Sequence, residues 1–131
     1  MGQPAAKKDD QVIATDIHIV MIPVGSGKVP VPLPHPFTGV IDGGLSSDVN
    51  IMGKPAATVD STATNTPSHV PNGDSFQSPP SNKGTIKLGS ATVKINGKMA
   101  ARNGDTAMTC NDPSDLPVGK VVAAGTVFIG G

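Results

Sequence analysis

Apolar residues crowd the chain from Gln11 to Val24: Val12, Ile13, Ile17, Ile19, Val20, Met21 and Ile22. The run is β-branched and nearly continuous, which predicts a long strand apolar on both faces or changing environment along its length. Pro23, with no N–H to give, is expected to end its ladder. From Gly25 to Phe37 prolines alternate strictly, at 30, 32, 34 and 36, and predict an extended connector. Leu45–Met52 reads as a second strand and Thr58–Thr66 as a short third. Pro67–Lys83 is a loop by composition. Thr85–Leu88 and Ala91–Ile95 flank Gly89-Ser90, a two-residue hairpin signal, and Asn96-Gly97 makes a further turn. Asn111–Pro117 reads as a loop, and Val118–Ile129 as a strand broken at Gly125. No ten-residue segment has helical periodicity with caps.

A short phrase recurs through this pattern. Gly53-Lys54-Pro55-Ala56-Ala57 is echoed by Gly2-Gln3-Pro4-Ala5-Ala6 and by Gly97-Lys98-Met99-Ala100-Ala101. Val49-Asn50-Ile51-Met52 before the second copy matches Val93-Lys94-Ile95-Asn96 before the third. An acidic residue follows each: Asp9 or Asp10, Asp60, and Asp105. One small unit built three times at uneven spacing predicts a compact body with approximate three-fold symmetry rather than a solenoid.

Composition narrows the class. Sixteen glycines and 13 prolines in 131 residues rule out a helical protein and, spaced between Val/Ile/Thr runs, predict an all-β chain. With three Phe and neither Tyr nor Trp, Val, Ile and Ala must fill the core. Ten basic residues balance ten acidic ones, so neither a basic field nor stacking aromatics exist to draw in nucleic acid. No apolar run approaches the ~20 residues of a membrane span. The charged start, Lys7 to Asp10, is unlike a signal peptide. One Cys excludes an internal disulfide.

The candidate chemistry is sparse: His18, His35, His69 and Cys110 are all the His and Cys in the chain. Read singly, each has an ordinary explanation: a core His in a strand, two loop imidazoles, a small buried thiol. Read against the repeat they form a set. His18, His69 and Cys110 each follow a copy after a short interval, and His35 adds a fourth ligand from the connector. Three imidazoles and a thiolate complete a tetrahedral zinc shell with no open position, a structural arrangement. Ligands from three pseudo-equivalent units must converge near the symmetry axis, where a metal would pin the narrow end of a tapering body.

The three copies, above all Ala100-Ala101-Arg102-Asn103-Gly104-Asp105, resemble those of the PAAR-repeat proteins. Lys7 and Thr58 stand where the motif has Arg, and Met99 where it has Pro. The resemblance implies a small β cone with a zinc ion near its vertex, held by His18, His35, His69 and Cys110. It implies a cap, one per trimer, that sharpens the β-helical spike of a type VI secretion system or related phage-tail-like injection machine. Such a cap is made in the cytoplasm and leaves it on the particle, meeting the target membrane transiently. Residues 1–131 read as a single such domain without an effector extension or enzymatic activity. Two other readings exist. An effector could dock on the outer surface, with the Pro67–Lys83 loop as the decorated element. A zinc hydrolase would need a base, for which only Asp16 and Asp112 lie near the ligands in sequence.

Overall fold

The β-branched run from Gln11 forms strand β2, Gln11–Val24, with the boundaries its sequence predicts, after a two-residue strand β1, Gln3–Pro4. The computed structural model describes residues 2–130; Met1 and Gly131 lie outside the described residues. Pro23 does not end the ladder, because β2 turns at Gly25 and pairs in register with β3, Gly27–Gly43. The proline connector is thus a strand. Its prolines fit because of which way their nitrogens face. On β2 the backbone groups of Ile17, Ile19 and Met21 point away from β3: Ile17 N–H donates to Asn111 Oδ1, Ile19 N–H donates to Asp112 Oδ2, and Met21 C=O accepts from Asp74 N–H. These residues lie opposite Pro34, Pro32 and Pro30. Residues facing each other in an antiparallel ladder point their backbone groups the same way, both inward or both outward. The prolines therefore occupy outward positions of β3, where no ladder bond is lost and the free edge shows no N–H.

The remaining strands are short: β4 Asn50–Ile51, β5 Lys54–Pro55, β6 Thr62–Asn65, β7 Ser75–Phe76, β8 Lys83–Ile86, β9 Lys94–Ile95, β10 Lys98–Met99, β11 Thr106–Thr109, β12 Leu116–Val122 and β13 Phe128–Ile129. Six strands close on themselves in the order β2, β3, β6, β8, β11, β12 and back to β2, all antiparallel. Closure leaves the ring no open edge. Each strand sends one side chain to a central layer: Val12, Ile41, Ala63, Ile86, Ala107 and Val121, all essentially inaccessible. Small residues alternate with large ones around most of this layer, which is how a narrow ring fills without aromatics.

The repeated phrase closes the broad end. Ala6 N–H donates to Ala101 C=O, Ala57 N–H to Ala6 C=O, and Ala101 N–H to Ala57 C=O, at 2.9, 3.0 and 3.1 Å. This cyclic triangle lies on the pseudo-three-fold axis, and its three alanines are buried. Around it stand two hairpins, β4–β5 and β9–β10. Their turns place Met52-Gly53 and Asn96-Gly97 at φ of 52° and 82°, and 52° and 80°, the both-positive pattern of a type I′ turn. The third hairpin position is filled by β1 pairing with β13, so the start and end of the described chain meet to complete the third unit.

Several expectations change. The Gly89-Ser90 hairpin does not form; the Ser90 hydroxyl instead accepts N–H bonds from Thr92 and Val93 and closes a local side-chain turn. The predicted 45–52 strand shrinks to Asn50–Ile51, since Ser46 makes the same turn with Asp48 and Val49. The final strand is broken around Gly125 as expected, into β12 and β13, and begins earlier, at Leu116. The acidic residues also align differently. Lys7 N–H donates to Asp10, Thr58 N–H to the Ser61 hydroxyl, and Arg102 N–H to Asp105. Ser61, not Asp60, is the middle equivalent. Asp60 shares with Asp9 and Gly104 a left-handed position, at φ of 78°, 75° and 87°.

Candidate metal centre

Above the central layer the ring narrows, because β6, β8 and β11 stop after four residues each while β2 and β3 continue. Inward positions on β2 alternate as Asp16, His18 and Val20, all buried. His35 lies directly opposite Asp16 on β3. His69 comes from the loop after β6, anchored by its N–H donating to Asn82 Oδ1 at 2.8 Å. Asn82 N–H-accepting carbonyl also takes Asn65 N–H, so one residue ties both ends of that loop. Cys110 follows the last residue of β11. With the structural alignment, His18 and His69 stand at the same distance after Asp10 and Ser61.

Asp16, His18, His69 and Cys110 each bring a ligand atom within 4.8 Å of the others. These four are able to hold a metal ion. Cys110 Sγ lies 3.6 Å from His18 Nε2; tetrahedral ligands at zinc distances would be about 3.5 Å apart. His35 stands beside this group, its ring centroid 5.6 Å from His18 and 5.4 Å from His69. Its Nδ1 lies 2.9 Å from Leu33 C=O. A carbonyl accepts only, so Nδ1 carries the proton and Nε2 keeps a lone pair. That Nε2 is buried without a partner, as is His18 Nδ1. An unpartnered buried lone pair beside a thiol and two imidazoles is the signature expected where a cation belongs. His18 Nδ1 faces the Asp112 carboxylate at 3.6 Å.

The electrostatics follow from burial. Burial, reinforced by the charge of Asp16, pushes the Cys110 thiol up to about 11. Burial also lowers the pKa of His18, with Asp112 opposing it. In the metal-free chain the centre is therefore a neutral thiol beside neutral imidazole, and a cation must displace the thiol proton. Phe76, carried onto β2 by β7, roofs the group with its centroid 5.8 Å from His18 and 5.3 Å from His35. Phe37 floors it, 6.1 Å from His69. A cleft of about 260 Å³ beside Pro34, Pro36 and Val70 reaches His35 and His69.

The PAAR motif profile matches residues 32–108, more than half of the 131 residues. The chain belongs to the PAAR motif family. Members are spike-tip proteins of contractile injection systems, a structural class, and their small β cone is the architecture described above. The Arg of the motif has a visible task here: Arg102 clamps Asp105 through Nε and Nη2 at 3.2 and 3.0 Å, a bidentate pair. Lys7 and Asp10 repeat the contact, and Thr58 with Ser61 makes its neutral version. No curated protein matches the chain. Among the described residues no helix is long and apolar enough to cross a membrane.

The sequence pointed to Asp16 only as a conceivable base, and missed Thr109 and Asn111 altogether. Asp16 Oδ1 accepts from the Thr109 hydroxyl and from Asn111 Nδ2, while Oδ2 faces His69 Nε2 at 2.9 Å and Cys110 Sγ at 3.4 Å. The available signal was parity: Asp16 is two residues before His18, on the same face of one strand.

Proposed function

We propose that the chain is a structural zinc-pinned tip, seated by its broad end on a trimeric β-helical spike. The observation that carries this reading is the cyclic triangle of Ala6, Ala57 and Ala101. One chain with three equivalent corners can meet a three-fold partner without breaking its symmetry. The corners present exposed apolar side chains, including Met52 and Phe128, 52% and 60% accessible, as a seat for a partner. Zinc suits a thiolate with imidazoles, and the ligands we assign are His18, His35, His69 and Cys110. The metal would be held at the narrow end. From the His18–Leu33 pair the β2–β3 hairpin runs six further pairs to Val24–Gly27, roughly 20 Å, as a stiff point for mechanical puncture of a membrane. A hydrolase finds no support: both Asp16 oxygens are engaged and the residue is wholly buried.

Elemental analysis of the purified chain, together with co-purification on a trimeric spike, tests the proposal. One zinc per chain and one chain per three spike chains are expected, with Cys110→Ser losing the metal. Stoichiometric absence of metal from a folded wild type, or no spike contact in a reconstruction of the particle, would overturn it.

A further inference from the structure

We infer that Asp16 is the charge-balancing carboxylate of the metal centre, the group that allows a divalent ion to be retained there. The inference rests on the zinc reading above, in which His35 completes the four ligands and Asp16, though close enough to hold the ion itself, stands outside them. Three neutral imidazoles and one thiolate around a divalent ion leave one uncompensated positive charge. His18, His35 and Cys110 are only 1%, 3% and 3% accessible, and a net charge in such a place is costly. Asp16 supplies the missing negative charge. It is fully buried, and among the described residues no Lys or Arg pairs with it; its ionisable neighbours are the candidate ligands themselves, His69, Cys110 and His18. A carboxylate buried with no cation is as costly as a cation buried with no carboxylate. Each therefore accounts for the other.

The carboxylate is held where this role needs it. Thr109 and Asn111 fix Oδ1, which turns Oδ2 toward His69 and Cys110. Thr109 and Asn111 flank Cys110, so one three-residue stretch delivers the thiol and sets the carboxylate beside it. Asp112 is placed differently. Its Oδ2 is engaged by Ile19 N–H at 2.8 Å and its side chain is 13% accessible, so water already shares its charge.

The test is zinc affinity of the full chain, measured by competition with a chromophoric chelator, with folding followed by circular dichroism. Asp16→Asn keeps the shape and removes the charge. It should weaken zinc binding by about 10–100-fold, the range for outer partners of a metal site, while Asp112→Asn changes it less and Asp16→Glu recovers part of the loss. Wild-type affinity in Asp16→Asn overturns the inference and leaves the zinc reading standing. A wild type that binds no zinc overturns both. Should Asp16→Asn fail to fold, Thr109→Val, which removes one of the two donors that hold Oδ1 in place, must show several-fold weaker binding; an unchanged affinity there refutes the role.

Discussion

Phe37→Ala is the substitution that most directly probes how this core works. Phe37 is 1% accessible and is the only Phe in the buried cluster. Its ring is packed by backbone: a Cβ added at Gly39 would lie 2.6 Å from Cε1, and one at Gly84 would lie 3.2 Å from Cζ. Gly39 lies two residues on along β3 itself and Gly84 on β8; without side chains they let the ring lie against their backbone, and they cannot fill the space if it leaves. Burying a side chain of ~150–250 Å² contributes about 4–6 kcal/mol at 25 cal/mol/Å², and truncation of a buried Phe costs about 3–5 kcal/mol. Against a total of roughly 5–15 kcal/mol for a domain, that is a large fraction. The assay is urea unfolding with excess chelator, so that metal linkage is absent. Far-ultraviolet circular dichroism must follow it, since the chain has neither Trp nor Tyr. The midpoint should fall with an unchanged slope. A loss below about 1 kcal/mol would mean the site collapses around the gap, and the account of Gly39 and Gly84 as fixed walls would be wrong. Phe37 also floors the candidate metal group beside His69, so on the proposed zinc reading adding zinc should recover only part of the loss.

Two further outcomes follow from the two ends of the cone. Ala101→Val puts two extra carbons on the pseudo-three-fold axis, where Ala6, Ala57 and Ala101 are all buried; overpacking should cost about 1–3 kcal/mol in chemical denaturation, and a neutral effect would show that the axis has spare room. Pro30→Val with Pro32→Val returns two outward N–H groups to the free edge of β3, each able to make one ladder bond of about 1 kcal/mol with another copy. Sedimentation should then reveal concentration-dependent association absent from wild type, and two equally monomeric proteins would refute the blocked-edge account.

Local chemistry was the legible part. The boundaries of β2 could be read from its β-branched run alone, because such residues favour an extended backbone. Asn96-Gly97 announced a turn, and the three alanine pairs announced the repeat. The Gly89-Ser90 signal misled, since Ser90 can satisfy nearby N–H groups with its own hydroxyl and stop a strand from pairing. Asp60 misled for a similar reason: an Asp suits a left-handed position as well as a capping one, and the chain places Ser61 in the cap.

What the sequence by itself determined was class and inventory: an all-β body, three copies of one unit, and three imidazoles with one thiol as the candidate ligands. Periodicity and composition carry that much because they act over a few residues. Which residues meet was decided only by the closed ring. Asp16, some 94 residues from Cys110, reaches the thiol because β12 returns to β2 and shuts the barrel. The proline comb is harmless only because register turns every one of its nitrogens outward. Pairing between distant strands sets these distances and parities, and no local pattern encodes them.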